Sequence, residues 1–243
     1  MNLVWAAVGA AAGLVAGALL RGPVFRLSVP AGAPDRAACP GCDGQLGRWL
    51  PLRCPHCGRA LGTPLVLELT TAAVLALLAG RFGPHPFTLA LCFLGALGVA
   101  LAAIDLSVQR LPDRLTLPAY PVLIALLTIA ALTGHDLAAL WRSLLGGLVL
   151  AAGYLLLGLA RPGQLGGGDI KLAGLAGLVL GWLGWRAVLT GAAAGFVLAG
   201  VAGLVLLAAH RVTLRGAISF GPYLLGGALL VILADGPAGA HFP

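Results

Sequence analysis

The 243-residue chain is 60% hydrophobic and only 9% charged, with a formal net charge of +7. A soluble domain carries roughly 25% charged residues, and one this short has too much surface per volume to hide so much apolar side chain. Lipid must serve as solvent for much of the chain, and the basic excess does not imply nucleic acid, because one Lys and scattered Arg residues build no basic face.

Eight apolar segments, each near the roughly 20 residues needed to cross a bilayer, predict an all-α polytopic membrane protein. They are Leu3–Leu20, Leu65–Ala79, Phe87–Ile104, Leu117–Leu132, Leu144–Leu159, Ile170–Leu183, Ala187–Ala208 and Ile218–Ala234. The second and sixth are short enough to be tilted, re-entrant or partly interfacial. The first is no cleavable signal peptide, because no positive charge precedes it and Arg21 and Arg26 follow it. That order places the N-terminus outside. Cytoplasmic connections then hold Arg21, Arg26, Arg36, Arg48, Arg53, Arg59, Arg110, Arg114, Arg161, Lys171, Arg211 and Arg215. The outer connections hold only Arg81, Arg142 and Arg186, a strong positive-inside asymmetry. An even number of spans puts both termini outside, with Asp235–Pro243 as a short mobile end. Three units are expected: a first transmembrane helix (1–20), a cytoplasmic four-cysteine insert (21–63) and a transmembrane helical domain (64–243).

The insert is too small to build a sufficient apolar core and needs a staple. Cys39-Pro-Gly-Cys42 and Cys54-Pro-His-Cys57 form two Cys-x-x-Cys knuckles with the spacing of a zinc ribbon. Gly41, Gly44 and Gly58 supply turn freedom. Two disulfides are the competing reading, which a reducing cytoplasm disfavours. Four thiolates leave no open position for water, so the zinc is structural. His56 reads as a spectator, and Cys92 as a small apolar residue within a span.

Only eight carboxylates are present, and Asp35, Asp43, Asp136 and Asp235 fall in polar connections. Asp105 directly follows Ala102-Ala103-Ile104, where an ionisable group is a functional suspect. The bland alternative is an interfacial Asp in cytoplasmic water. Asp169 ends the run Gly166-Gly167-Gly168 just before Ile170-Lys171-Leu172. It is either an N-cap for the helix that follows, or a carboxylate brought close to another group by glycines able to take unusual dihedrals. Asp105 ends the third segment and Asp169 begins the sixth, both at the cytoplasmic edge. If those helices pack together, two carboxylates sharing one proton supply the chemistry of an aspartic peptidase. Lys171 is expected to snorkel to the interface, either as a topology charge or to add positive potential near the pair.

With these motifs in order, the chain resembles the type IV prepilin peptidases, intramembrane aspartic proteases of the Gly-x-Gly-Asp type. The resemblance rests on the two knuckles after the first helix, Ile104-Asp105-Leu106 leading to Leu111-Pro112-Asp113-Arg114-Leu115-Thr116, Gly166-Gly167-Gly168-Asp169-Ile170-Lys171-Leu172, and Phe220-Gly221-Pro222-Tyr223. It implies that Asp105 and Asp169 are the catalytic pair, while Asp113, with Thr116, shapes the start of the fourth helix. It also implies prepilin or pseudopilin substrates, cut after a Gly behind a short basic leader, and location in the bacterial inner membrane. A second activity is implied too, methylation of the new N-terminus from S-adenosylmethionine. Two departures fall in the N-terminal half associated with methylation. The stretch Ala18–Arg26 lacks the usual Asn, and Pro64-Leu65-Val66-Leu67-Glu68 is one residue longer than the family's Pro-x-x-Glu. The competing functions are a non-enzymatic zinc-bearing scaffold or transporter subunit, and a peptidase of this type with another membrane substrate.

Overall fold

In a computed structural model, residues 2–30, 32–47, 50–61, 65–160, 166–210 and 219–235 are described. Arg48, Arg161, Arg211, Arg215, Pro64 and the tail beyond Asp235 lie outside them. Eight helices run through the described residues: α1 (Leu3–Leu27), α2 (Val66–Phe82), α3 (Pro86–Val108), α4 (Asp113–Thr133), α5 (Leu137–Ala160), α6 (Gly167–Leu183), α7 (Trp185–Ala208) and α8 (Gly221–Asp235). The all-α expectation is met. By length and composition α1, α3, α4, α5 and α7 can cross a bilayer unaided, whereas α2, α6 and α8 are shorter. The second and sixth segments are short, as expected, at 17 residues each, and α8 is shorter still at 15.

Local chemistry sets several helix ends. Asn2 caps α1 by accepting the Val4 N–H at 3.1 Å. His85 caps α3 through Nδ1, with Pro86 at the first helical position, where a missing N–H costs nothing. At its other end α3 runs past Asp105 to Val108 and closes on Gln109 in the left-handed region (φ 51°). Asp105 is therefore one turn inside the helix rather than at its end. Likewise α1 runs on past Leu20 to Leu27. The sequence suggested a stop at Arg21, but that charge is neutralised by an ion pair with the buried Glu68 of α2. Further along, Phe25 packs with Cys39, Leu46, Leu50, Cys54 and Leu61 in the small core of the insert.

Lipid is as apolar as Leu, so helices here associate by close packing, and small residues permit it. Gly13 and Gly17 of α1 lie against the α2 backbone: a Cβ on them would fall 2.5 Å from Ala72 Cα and 2.6 Å from Glu68 Cα. Gly9, one turn earlier, meets the Leu75 carbonyl in the same way. The α5–α6 pair is built alike, with Gly146 and Gly177 facing each other and Gly181 against the Arg142 carbonyl, and Gly227 of α8 meets Gly195 of α7.

These contacts make α6 the central helix. It touches α3, α4, α5, α7 and α8, and every residue from Leu172 to Trp182 is buried. That environment explains a helix apolar on all sides, which no single lipid-facing stripe would need.

Leucine at position 177 would have to displace the backbone of α5. Gly177→Leu is expected to cost about 3 kcal/mol or more, read as a lowered melting temperature and folded yield in detergent, whereas Gly153→Leu, which meets nothing within 4 Å, should be tolerated.

Candidate active site

Four chain segments meet at one end of the bundle: the last turn of α3, the first turns of α4 and α6, and the entry to α8. Asp105 is only 5% exposed, so it is not the solvated interfacial group of the bland reading. Its Oδ2 accepts hydrogen bonds from the Ser219 hydroxyl and from the Gly221 N–H, the latter at 3.1 Å. The positive end of the α8 dipole is thus aimed at a buried carboxylate. A Cβ on Gly221 would lie 2.7 Å from that oxygen and 3.5 Å from Leu172 Cδ2. Only glycine fits between α3 and α6 there, and Pro222 beside it needs no donor at a helix start.

Asp169 is half-buried at the third position of α6. The N-cap is Gly166, whose N–H donates to Asp169 Oδ2 at 3.3 Å. Asp169 is not the cap, and none of the three glycines has a positive φ, but the close approach expected of the run is present. The run is required by packing at Gly168, where a Cβ would lie 2.7 Å from Leu111 Cβ. Asp105 of α3 and Leu172 of α6 both border Gly221, so the helices that carry the two carboxylates meet there.

Asp113 opens α4, with Thr116 bonding back to the Pro112 carbonyl at 3.3 Å. Its carboxylate also pairs with Lys171 Nζ at 2.6 Å. Lys171 therefore ties α6 to α4 instead of extending alone to the interface, and Tyr120 fixes the same turn by donating to the Lys171 carbonyl at 2.7 Å. Beside them a polar cleft of about 580 Å³ opens between the segment after α1 and the α3–α4 connection, lined by Asp35, Arg110, Leu111, Asp113 and Arg114 among others. Arg114 pairs with Asp35 across it, and Arg110 donates to the Pro30 carbonyl at 3.2 Å.

The insert folds as two similar knuckles. Cys39 N–H donates to the Gly44 carbonyl (2.9 Å) and Cys54 N–H to the Arg59 carbonyl (2.8 Å). Left-handed backbone falls on Gly58 (φ 71°) and on the non-glycine Asp43 (φ 54°), not on Gly41 or Gly44. Gly44 is needed instead because a Cβ would meet the His56 ring at 2.6 Å. The four sulfurs lie within 4.8 Å of one another, with Cys39···Cys57 at 3.8 Å and Cys42···Cys54 at 3.7 Å. These are far from the roughly 2.05 Å of a disulfide. Burial would raise the Cys54 thiol, but N–H groups of His56 and Cys57 and the neighbouring thiols bring it down to about 6.

The sequence profile of the type IV leader peptidase family matches residues 91–209, a stretch that carries Asp105, Asp113, Asp169 and Lys171. The chain is 33% identical over 232 residues to a prepilin leader peptidase/N-methyltransferase of Burkholderia pseudomallei, covering 88% of this chain and 70% of the relative. It is 33% identical over 240 residues to the protein of that name from Aeromonas salmonicida (87% and 74%), and 33% over 242 residues to that from Aeromonas hydrophila (88% and 75%). This chain belongs to the type IV leader peptidase family. As a member it is a membrane-embedded peptidase, and the scaffold or transporter reading is not favoured. No solved structure matches the chain.

Sequence reasoning on this family member missed Ser219 and the Arg21–Glu68 pair. No local signal marks Ser219, which is 114 positions from the carboxylate it serves, and Arg21 and Glu68 were each visible but not as partners. It also passed over Tyr154, a fully buried tyrosine in an otherwise apolar stretch.

Proposed function

We propose that Asp105 and Asp169 are the catalytic carboxylates of an aspartic endopeptidase that removes the basic leader of prepilins or pseudopilins at the cytoplasmic face of the bacterial inner membrane. The observation that carries this reading is the buried Asp105, held by Ser219 and the start of α8 beside the α6 turn that presents Asp169. The relatives' name supplies the substrate class. The positive-inside asymmetry supports outward termini. Arg81 and Arg142 bond to Leu233 and Trp182 at the C-terminal ends of α8 and α6, the ends opposite those that meet at the carboxylates.

Two carboxylates that meet in one site share one proton. The ionised one takes a proton from water as the water oxygen bonds to the scissile carbonyl carbon, and the protonated one gives its proton to the carbonyl oxygen. On collapse one hydroxyl of the diol gives its proton to the ionised carboxylate, the protonated carboxyl gives its proton to the leaving nitrogen as the C–N bond breaks, and the pair again holds one. Both Ser219 and Gly221 bind Oδ2 of Asp105, so Oδ1 is left for the water or the shared proton. Gly166 and Gly168 hold Asp169 in place, and the Asp113–Lys171 pair ties the α6 start to α4.

The insert, residues 21–63, is a zinc-stapled unit set against a peptidase body of residues 64–243. Tetrahedral zinc with Zn–S bonds of about 2.3 Å places sulfurs roughly 3.8 Å apart, which fits the pairs at 3.7 and 3.8 Å. The relatives' double name extends the reading to N-methylation of the new N-terminus, for which S-adenosylmethionine supplies the methyl group.

Asp105→Asn and Asp169→Asn should each abolish prepilin cleavage at normal membrane level, while Asp113→Asn retains much of it. An active Asp105→Asn enzyme overturns the assignment. Purified chain should hold about one zinc when four cysteines bind one ion, and Cys54→Ser should lower the folded yield of the insert more than it lowers the turnover of what folds. Metal analysis finding no zinc in a stable protein would refute the staple.

Substrate access follows from the same end of the bundle. The α3 face bearing Gly98 and Ala102 leads to Asp105 and borders an apolar cleft of about 130 Å³ between α2, α3 and α8. A soluble peptide with the leader and cleavage site but no apolar helix should be a poor substrate, because it forfeits roughly 25 cal/mol per Å² of apolar contact. Equal cleavage of that peptide and full prepilin in one detergent would mean that the site opens directly to water.

A further inference from the structure

Tyr154 stands on the inner face of α5, and its hydroxyl is used by nothing described so far. The residue is 2% exposed, and its phenolic oxygen has no hydrogen-bond partner among the described residues.

Antiparallel packing of α5 on α6 fixes its height. Gly146 lies against Gly177 and Gly181, Gly147 against Leu178 and Gly174, and Ala151 against Gly174. Steps toward the end of α5 are matched by equal steps toward the start of α6, which brings Tyr154 level with the first turn of α6, the turn that carries Asp169. On its other side the Tyr154 ring lies 5.8 Å from the ring of Phe220 and 5.5 Å from that of Phe196, and those two rings are 5.1 Å apart. Phe220 sits between Ser219 and Gly221, the residues that bind Asp105 Oδ2. The phenol thus stands level with the α6 turn that presents Asp169 and against the segment that holds Asp105.

Packing alone does not account for a tyrosine here. A buried hydroxyl without a partner is costly, and phenylalanine would fill the same aromatic cluster without that cost. An orphaned donor is useful where its partner appears only during a reaction, because a preorganised donor stabilises charge that develops in the transition state.

We propose that Tyr154 is a catalytic residue of this site, its O–H donating a hydrogen bond to the scissile carbonyl oxygen as that oxygen gains charge. The proposal rests on the reading of Asp105 and Asp169 as the reacting pair. The electron pair of the carbonyl π bond moves to that oxygen when water adds to the carbon. The oxygen takes its proton from the protonated carboxyl group, and Tyr154 keeps its own proton throughout. When the tetrahedral intermediate collapses and the C–N bond breaks, the carbonyl re-forms and the hydrogen bond is released.

Tyr154→Phe keeps the ring and removes only the hydroxyl. In the purified full chain with prepilin as substrate, it should lower kcat about 100-fold and leave KM unchanged. The melting temperature should stay level or rise, since an unpartnered polar atom is gone. A Tyr154→Phe enzyme with parental kcat overturns the proposal. So does one whose activity falls only in proportion to its folded fraction, because the hydroxyl would then be structural. If the parent chain itself fails to cleave prepilin, the proposed function is at fault. If the parent cleaves and Tyr154→Phe matches it, only the role of Tyr154 is lost.

Discussion

Everything in this molecule depends on backbones approaching one another where a Cβ would not fit. In lipid the apolar effect that holds a soluble core together gives little preference for one helix–helix contact over another, so close packing must supply it. Glycines on α1, α5, α6, α7 and α8 let the α1–α2, α5–α6 and α7–α8 pairs close on each other. Gly168 and Gly221 then extend the same device into the site, bringing Leu111 against the start of α6 and Asp105 against the start of α8. The residue class that builds the bundle also positions the chemistry.

The site gathers groups with no shared local pattern. Asp105 is held from across the chain by the entry to α8, Asp169 is held within its own first turn by Gly166, and Lys171 is drawn to Asp113. Asp105 and Lys171 each meet a partner on another element, as ionisable groups near lipid commonly do. The Arg21–Glu68 pair follows the same rule and carries α1 seven residues beyond its apolar run, into contact with the cysteine insert. The insert in turn leans on the α3–α4 connection through Arg110 and on the first turn of α4 through Arg114–Asp35. The small soluble unit is thus attached to the same connection whose Leu111 and Asp113 face the start of α6.

The helical class, the number of apolar segments, the cysteine knuckles and the motifs around Asp105 and Asp169 were legible in the sequence because each is a local signal of composition or spacing. Bilayer thickness sets segment length, and tetrahedral thiolate geometry sets the Cys-x-x-Cys spacing. Local signals also misled. Arg21 looked like a stop until Glu68 met it, and of the two roles expected of the glycine run, close approach and unusual dihedrals, only the first is present.

Only the tertiary structure decided which residues of distant segments meet. It buried Asp105 against Ser219 and Gly221, made α6 the central helix, paired Lys171 with Asp113, and left the Tyr154 hydroxyl beside them without a partner among the described residues. The reason is physical. A sequence records what each residue can do with its near neighbours and with its solvent. The partner of a buried polar group is chosen by how helices pack, and in lipid that choice is made by contacts between surfaces that composition alone does not rank.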